Sequence, residues 1–444
     1  MEQPYSQSAT ALADALGRGE LSAEDLARAY LARIDEVEGT VRAFAHLDPD
    51  HVLAQARALD DARRNGRPTG PLHGLPVGIK DIIDTADYPT ECGSSFYAGR
   101  RPDHDAAVVA KLRAAGAIVF GKTVTTEVAF RTPGPTRNPH DPERTPGGSS
   151  SGSAAAVAAA MLPLAIGSQT AGSVIRPASY CGVFGMKPTH GVISRAGVML
   201  HSRQLDHLGV YARTLEDMAL LLDVIAGYDP NDPDSRAVAA PAFAREAAAR
   251  PPVTPRLAFM RLPIWEKADP DARAAFEELA EALGEHIVSV DLPEPFAAAW
   301  GHHRTIMAAD MAHRHARHVE HEGDHASQAL RDMVKEGRGI SAVTYLEALA
   351  AARRYAAGLA EVFEYYDAIV TPASTGVAPK GLGWTGDPAF NALWTLVGLP
   401  AVSLPLLTGE SGMPLGVQLV GRAGFDGRLL RTANWLMREL TENA

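Results

Sequence analysis

Four serines lie within five positions of the stretch TPGGSSSGSAAAVAAA, which runs from Thr145 to Ala160. They are Ser149, Ser150, Ser151 and Ser153, with two glycines before them and an alanine-rich run after them. A serine hydroxyl can attack a carbonyl carbon, but it is a poor nucleophile unless a neighbouring base takes its proton. The composition therefore suggests a flexible linker, a nucleophile elbow, or a serine site of another geometry.

The residues GSSSG at 148–152 match the G-x-S-x-G pattern of a nucleophile elbow, with Ser150 as the nucleophile. An elbow requires a strand directly before its serine. The preceding residues 131–148 instead carry five prolines together with Asn, Asp and Gly, a composition typical of loops. The sequence therefore disfavours an elbow, while serine chemistry of another geometry stays open.

The residues GAIVFGKT at 116–123 match the phosphate-binding pattern G-x-x-x-x-G-K-[ST]. A phosphate loop must turn its backbone N–H groups inward and lead into a helix. Here the middle residues are Ala, Ile, Val and Phe, and the β-branched run VTTEVAF follows. We therefore predict a strand at this position rather than a nucleotide site.

Histidines crowd residues 302–325. They are His302, His303, His313, His315, His318, His321 and His325. A metal site usually adds carboxylate or thiolate ligands at defined spacing, and no zinc pattern is present. We interpret the segment as a solvated helix that carries histidines, and we expect no metal site.

The elements that must position the serines follow from the hydrophobic periodicity of the chain. LSAEDLARAYLARIDEVE predicts a helix that begins at a Ser22 cap, and DHVLAQARALDDARRNG predicts a second helix. Leu75, Val77 and Ile79 then alternate as in a strand. DAAVVAKLRAAGAIVFGKT predicts a helix, a turn at Gly116 and a buried strand, an order that indicates an α/β fold.

The rest of the chain shows no internal repeat and no clean linker. We predict a helix at 154–162 and strands in YDAIVTPAS, AVSLPL and GVQLVG near the C-terminal end. We therefore predict a single domain over residues 1–444, with the catalytic motifs at about 70–215. A variable helical excursion covers about 230–360, and strands return to the core at about 365–444.

Composition and charge exclude several classes of function. Hydrophobic residues make up 46% and charged residues 21% of the 444 residues, which is globular composition. The net charge is -11 with no basic block, so nucleic-acid binding is disfavoured. The N-terminal residues do not match a secretory signal, and AAAVAAAMLPLAIG is too short to span a membrane. With only Cys92 and Cys181, we expect a reduced cytoplasmic setting.

From Gly147 to Thr189 the sequence GGSSSGSAAAVAAAMLPLAIGSQTAGSVIRPASYCGVFGMKPT closely resembles the amidase signature family. That family has a GGSS(G/S)G stretch, an alanine-rich helix, a second glycine–serine turn and a segment ending in G-x-K-P-T. PLHGLPVGIKDIIDT, YDAIVTPA and GLPAVSLPL are also similar to the family, and the resemblance is weakest at about 230–360. It implies a large mixed central β-sheet flanked by α-helices on both faces.

The resemblance also implies a Ser–cisSer–Lys triad. Matched by motif, its members are Lys80 in GIKD, Ser149 after the two glycines, and Ser173 in TAGSVIRP. Ser173 would be the nucleophile. Ser149, joined to Gly148 by a cis peptide bond, would pass the proton of Ser173 to Lys80.

Lys80 can act as a base only in its neutral form, and burial lowers the pKa of a lysine. The apolar run before Lys80 supports a partly buried position. From the residues alone, however, a lysine at a strand end that pairs with Asp81 or Asp84 is the simpler interpretation. The resemblance is what favours catalysis.

The turn TAGS contains small residues that allow a substrate to approach its backbone closely. Backbone N–H groups of Thr170, Ala171, Gly172 and Ser173 are therefore expected to form an oxyanion hole, in which donors stabilise the developing negative oxygen. An ordinary glycine turn between two elements is the alternative.

Two features depart from the common family pattern. Many members have Asp-x-Gly-Gly-Ser before the nucleophile, whereas this chain has QTAGS, with Gln169 and Ala171. Arg176 follows Ser173 by three residues instead of two, a spacing that resembles the malonamidase-like branch, where this arginine faces a carboxylate. We expect Arg176 either to bind an acidic or carbonyl-rich substrate group or to pair structurally with the backbone or a carboxylate.

The resemblance implies a hydrolase of linear amides that uses no metal and no organic cofactor. Hydrolysis of a carbamate (urethane), an aryl amide or an ester by the same triad is one alternative. A glutamine-hydrolysing amidotransferase subunit is another, although that branch usually keeps Asp-x-Gly-Gly-Ser. The expected partner is a small-molecule amide or carbamate, with no nucleic acid and no membrane, and the oligomeric state stays open, a homodimer included.

Overall fold

The computed structural model describes residues 3–239, 241–321 and 325–442. Its helices are α1 (Ala9–Arg18), α2 (Ala23–Val41), α3 (Pro49–Arg64), α4 (Ala107–Ala114), α5 (Ser151–Ala158), α6 (Ile175–Cys181), α7 (Leu215–Ile225), α8 (Phe243–Ala248), α9 (Pro270–Leu283), α10 (Ala299–His321), α11 (Gln328–Arg338), α12 (Ala342–Val362), α13 (Ala389–Leu396) and α14 (Asp426–Glu442). Its strands are β1 (Phe44–His46), β2 (Pro76–Lys80), β3 (Ile118–Thr123), β4 (Leu164–Gln169), β5 (Phe184–Lys187), β6 (His207–Ala212), β7 (Leu257–Phe259), β8 (Ile287–Ser289), β9 (Ala368–Pro372), β10 (Ala401–Thr408) and β11 (Pro414–Val420).

The strands form one mixed sheet in the order β1-β3-β2-β4-β6-β5-β10-β11-β9-β7-β8. Strand β2 runs parallel to both of its neighbours, β3 and β4, whereas β4 pairs antiparallel with β6. Helices connect the parallel strands, as they must, because a parallel pair needs a long crossover. The predicted α/β fold with a large mixed sheet is confirmed.

The central strands β2, β3 and β4 are buried along their whole length. Strands covered by helices on both faces read as continuous apolar runs rather than as alternating ones. This explains why IVFGKT is a strand and not a phosphate loop. Its lysine, Lys122, is fully buried, with Nζ 3.2 Å from a carboxylate oxygen of Asp81.

Helix α5 lies in the interior and begins three residues earlier than the predicted helix at 154–162, ending at Ala158. Almost every residue of α5 is buried, which explains its serine, glycine and alanine composition. A Cβ atom on Gly152 would lie only 2.2 Å from the carbonyl oxygen of Ala43. The small side chains therefore allow α5 to pack directly against the sheet.

Residues 230–360 contribute more than helices. Strands β7 and β8 from this range extend the sheet beyond β9. Buried side chains of α10–α12, such as Met311 and Leu359, belong to one apolar cluster that also includes Trp394 and Val420 of the C-terminal region. The excursion thus shares its sheet and its core with the rest of the chain, while the division into regions stays a prediction.

Among the described residues, no helix is both long enough and apolar enough to cross a bilayer.

Candidate active site

The predicted site residues meet at the carboxyl end of the parallel strands. Lys80 is the last residue of β2, and the turn 170–173 directly follows β4, its neighbour in the sheet. Ser149 lies in the loop that leads into α5. Parallel strands bring their carboxyl ends to one edge, which is where open α/β sheets bind ligands.

Lys80 is fully buried, and its Nζ contacts two serine hydroxyls. Nζ donates to Ser149 Oγ at 2.6 Å and to Ser168 Oγ at 2.8 Å. Burial lowers the pKa of Lys80 well below its ordinary value of 10.5, and the opposing effect of the nearby Asp206 carboxylate is smaller. The local structure therefore favours a neutral amine.

The alternative interpretation of Lys80, a strand-end ion pair, is wrong. Asp81 pairs instead with Lys122, and Asp84 pairs with Arg100 at 2.7 Å. Successive side chains of a strand point to opposite faces of the sheet, so Lys80 and Asp81 face different surroundings.

Ser149 is buried and follows a peptide bond, Gly148–Ser149, that is cis. Its hydroxyl lines a cavity of about 320 Å³ together with Ser173. Ser173 is only partly buried, and no protein group hydrogen-bonds to its hydroxyl among the described residues. Ser149 thus contacts the buried Lys80 and also lines the cavity that Ser173 lines.

The hydroxyl groups of the other serines in the run form hydrogen bonds with the backbone. Ser150 Oγ donates to the Ser168 carbonyl and accepts from the Ser168 N–H, both at 3.1 Å. Ser151 Oγ donates to the Gly147 carbonyl, and Ser153 Oγ donates to the Ile166 carbonyl. Ser150 is therefore not an elbow nucleophile. Ser150 stands at the N-cap of α5 but makes no side-chain cap hydrogen bond; these serines bond the neighbouring strand and turn instead.

All four carbonyl groups of the turn 170–173 have hydrogen-bond partners. Thr170 O accepts from His303 Nε2 at 2.9 Å and Ala171 O from Thr395 Oγ1 at 2.7 Å. Gly172 O accepts from the Arg176 N–H at 3.0 Å, and Ser173 O from the Tyr211 hydroxyl at 3.1 Å.

The backbone N–H groups of the same four residues have no protein acceptor among the described residues. A Cβ atom at Gly172 would lie 2.3 Å from Asn391 Oδ1, so the glycine permits the tight packing behind this turn. Unpaired N–H groups beside a cavity are what an oxyanion hole requires.

Gln169, which stands where many family members have the Asp of Asp-x-Gly-Gly-Ser, has a structural role here. Its Oε1 accepts from the backbone N–H groups of Val174 and Ile175 at 2.8 and 3.0 Å, and its Nε2 donates to Thr395 Oγ1 at 3.0 Å. The start of a helix leaves backbone N–H groups without partners, and a side-chain oxygen can satisfy them. The amide oxygen of Gln169 meets that requirement for α6.

Arg176 is buried beside the cavity and holds two backbone carbonyls. Nε donates to Thr385 O at 2.7 Å and Nη2 donates to Gly148 O at 2.6 Å. Its Nη1 is buried without a partner, and the hydrogen bonds of the guanidinium among the described residues go to Thr385 and Gly148 and not to a carboxylate. The structural interpretation of Arg176 thus holds for Nε and Nη2, while Nη1 has no partner in the described part of the chain.

The histidine segment is not a purely solvated helix. His303 and His315 are buried on α10, His303 at the turn and His315 with its Nε2 3.1 Å from His201 Nδ1 at the cavity wall. Part of the segment, residues 322–324, lies outside the described residues. The described residues contain no cluster of three or more His, Cys, Asp or Glu side chains that could hold a metal.

The model of the Amidase family matches residues 25–430. The chain belongs to the amidase family. Its curated relatives include the glutamyl-tRNA(Gln) amidotransferase subunits A of Chloroflexus aurantiacus and Salinispora arenicola. The Chloroflexus aurantiacus protein is 36% identical over 100% of this chain and 98% of its own length. The Salinispora arenicola protein is 35% identical over 96% of each chain.

Solved structures of other amidases have the same fold. A chain of a vestigial protein complex related to the origin of an s-triazine catabolic enzyme superposes with a TM-score of 0.91 and 30% identity, over 97% of this chain and 98% of that one. A 6-aminohexanoate cyclic dimer hydrolase has a TM-score of 0.86 and 29% identity, over 98% of this chain and 97% of that one. The peptide amidase of Stenotrophomonas maltophilia has a TM-score of 0.84 and 30% identity, over 99% of this chain and 98% of that one. The malonamidase-like branch stays a prediction for this chain.

Several residues at the candidate site were not predicted from the sequence. Ser168, His303 and Thr395 contact the predicted residues directly. One signal was present in the sequence: His303, Met307, Met311 and His315 recur at intervals of four, which predicts a common helix face. No such pattern marks Ser168 or Thr395.

Proposed function

We propose that this protein hydrolyses a carboxamide C–N bond through an acyl-enzyme on Ser173. The observation that carries the proposal is the environment of Lys80, a fully buried amine that contacts two serine hydroxyls and, in the described part of the chain, no carboxylate. A neutral lysine amine beside a serine is a general base of the Ser–Lys type. Membership of the amidase family supports the same reaction.

In the proposed mechanism, Ser173 Oγ attacks the carbonyl carbon while its proton passes to Ser149 Oγ and the proton of Ser149 passes to Lys80. A neutral Lys80 can keep donating an N–H to Ser168, and its lone pair can then accept the Ser149 proton across the 2.6 Å contact in which a charged Nζ is the donor. The N–H groups of residues 170–173 stabilise the oxyanion. The relay then returns the proton to the leaving amine, and water releases the acid by the same steps in reverse.

The charge of the cavity supports a substrate that carries a carboxylate. Arg176 and the exposed Arg131 line the cavity, and neither contacts a carboxylate in the described part of the chain. Asp387, the acidic residue among the described lining residues, already pairs with Lys267 at 2.9 Å. We therefore propose an amide of a dicarboxylic acid, or a carbamate of similar charge, with Arg176 Nη1 as its ligand.

The names of the curated relatives support a second function, a glutamine-hydrolysing subunit of an amidotransferase. Sequence similarity favours this candidate over a free-standing amidase. Glutamine, however, carries an ammonium group beside its carboxylate, and the described cavity offers no unpaired carboxylate to receive an ammonium. The charge of the site therefore favours the first candidate.

One assay separates the two candidates. The purified chain, without any partner protein, is supplied with malonamate, succinamate, glutamine, neutral primary amides, anilides and carbamates. Turnover of dicarboxylic monoamides by the chain alone supports the first candidate. Turnover of glutamine only when a partner is added supports the second.

Serine variants test the mechanism on whichever substrate is turned over. Ser173→Ala should lower kcat/KM by at least about 10⁴-fold, since a nucleophile acts as one unit with its base. Ser150→Ala is the matched control from the serine run and should lose far less activity. A folded Ser173→Ala variant that retains activity would exclude the mechanism.

Arg176→Ala tests substrate recognition. The variant should raise KM for an amide that carries a carboxylate much more than for a neutral amide of similar length. An equal effect on both amides would leave Arg176 with only its structural contacts.

A further inference from the structure

The contacts of the turn 170–173 determine where its N–H groups point. In a trans peptide unit the carbonyl of one residue and the N–H of the next point in opposite directions. A hydrogen bond that fixes the Thr170 carbonyl therefore also fixes the direction in which the Ala171 N–H points. A hydrogen bond to the Ala171 carbonyl does the same for the Gly172 N–H. The group that holds Thr170 O belongs to none of the motifs that mark the site: it is His303.

His303 suits this task because it is buried and uncharged. Its side chain lies on α10, on the helix face that also carries Met307 and Met311. Burial lowers the pKa of His303 to about 4, so the ring is neutral near pH 7. A carbonyl can only accept, so the proton of the neutral ring must lie on Nε2, 2.9 Å from Thr170 O.

We propose that His303 is a positioning residue of the oxyanion hole, which holds the Thr170 carbonyl so that the Ala171 N–H faces the substrate. The inference rests on the proposed function. It gives the excursion at 230–360 a direct part in the reaction, because α10 supplies a contact that the motif-bearing core does not provide.

Two variants of His303 separate the hydrogen bond from the packing. His303→Leu fills a similar space without a donor. His303→Gln places an amide N–H near the position of Nε2 and should restore the bond. His302→Leu is the matched control, since the adjacent His302 contacts Tyr355 and not the turn.

The measurement is the second-order rate constant for labelling of Ser173 by an alkyl fluorophosphonate. In this reaction the Ser173 oxygen bonds to phosphorus, fluoride leaves, the proton of Ser173 passes to the relay, and the phosphoryl oxygen occupies the oxyanion hole. Removal of one oxyanion donor typically costs about 10²–10³-fold. We expect a misdirected donor to cost less, about 10- to 100-fold in His303→Leu, with His303→Gln within about threefold of wild type.

Substrate kinetics provide a second readout. On an amide that the chain hydrolyses, His303→Leu should lower kcat with little change in KM, since an oxyanion contact acts in the transition state. Melting temperatures of all variants establish that the compared proteins are folded.

The outcomes distinguish this inference from the proposed function. If Ser173→Ala abolishes labelling while folded His303→Leu labels at the wild-type rate, the role of His303 is wrong and the mechanism stands. If folded His303→Gln is as slow as His303→Leu, the hydrogen bond is not what matters, and the inference is also wrong. If the wild type is not labelled, or Ser173→Ala is labelled equally, the proposed function itself fails.

Discussion

The residue that most constrains the chemistry of this protein is Lys80. An ammonium group loses its hydration when it is buried, and among the described residues no carboxylate forms an ion pair with Lys80, so the effect of the nearby Asp206 compensates only part of that loss. Its pKa is therefore lowered, and the amine is available as a base at a pH where an exposed lysine is protonated. In the proposed mechanism, the burial of Lys80 therefore both lowers stability and supplies the base.

The pH dependence of activity should report the pKa of Lys80. Only the neutral amine takes a proton, so kcat/KM should fall as the pH drops through the lowered pKa and should level off well below pH 10.5. Initial rates on one amide across pH 5–10 measure this profile. A rate that keeps rising up to the ordinary pKa of lysine would contradict it.

The pH dependence of the free energy of unfolding should report the same ionisation when the wild type is compared with Lys80→Met. Between the lowered folded pKa and the ordinary value, the unfolded chain binds a proton at Lys80 that the folded chain does not bind. The free energy of unfolding of the wild type should therefore increase relative to Lys80→Met as the pH rises from 7 towards 10. Parallel pH profiles from urea unfolding of the two proteins would show that Lys80 is charged when buried.

At the scale of the element, the start of α6 determines the shape of the turn 170–173. Gln169 satisfies the first free N–H groups of α6 and also bonds Thr395 Oγ1, which in turn holds the Ala171 carbonyl. The side chain thus links the strand β4, the helix α6 and the helix α13. A glutamine can form all these bonds because its amide both donates and accepts.

Gln169 variants test this link. Gln169→Leu leaves two helix N–H groups buried without an acceptor and should lower the free energy of unfolding by about 2 kcal/mol. Gln169→Glu keeps the acceptor at a helix N-terminus, where negative charge is favourable, and should lose less. Urea unfolding measures both, and equal losses in the two variants would show that the cap is unimportant.

At the scale of the whole molecule, the excursion and the motif-bearing core depend on each other. Strand β7 pairs with β9, and Trp300 on α10 donates from its indole N–H to the Ala389 carbonyl at the start of α13. Their apolar side chains share one cluster. We propose that residues 1–444 form the single domain that the sequence predicts.

A single domain should unfold in one cooperative step. Urea unfolding followed by tryptophan fluorescence and by far-ultraviolet circular dichroism should give the same midpoint, because neither region keeps a complete core alone. Limited proteolysis at sub-denaturing urea provides a second readout. Two separated transitions, or a stable fragment that lacks 230–360, would contradict the proposal.

The sequence by itself determined the family, the fold class and the positions of the three candidate catalytic residues. Each of these depends on a local pattern: the GGSSSG run, the TAGS turn, and the apolar strand before Lys80. Local patterns also marked GAIVFGKT as a strand, because its side chains are those of a strand buried on both faces. Such information survives in a sequence because it lies within a few consecutive residues.

The tertiary structure alone decided which groups surround those residues. Ser168 and Ser149 reach Lys80 from different elements, and His303 and Thr395 reach the turn from 133 and 224 residues away in the chain. Spacing along the chain carries no information about such contacts, because strand order and helix packing bring these groups together. For the same reason only the fold shows what each serine of the opening run contacts: Ser149 lies beside Lys80, and Ser150 bonds to a neighbouring strand.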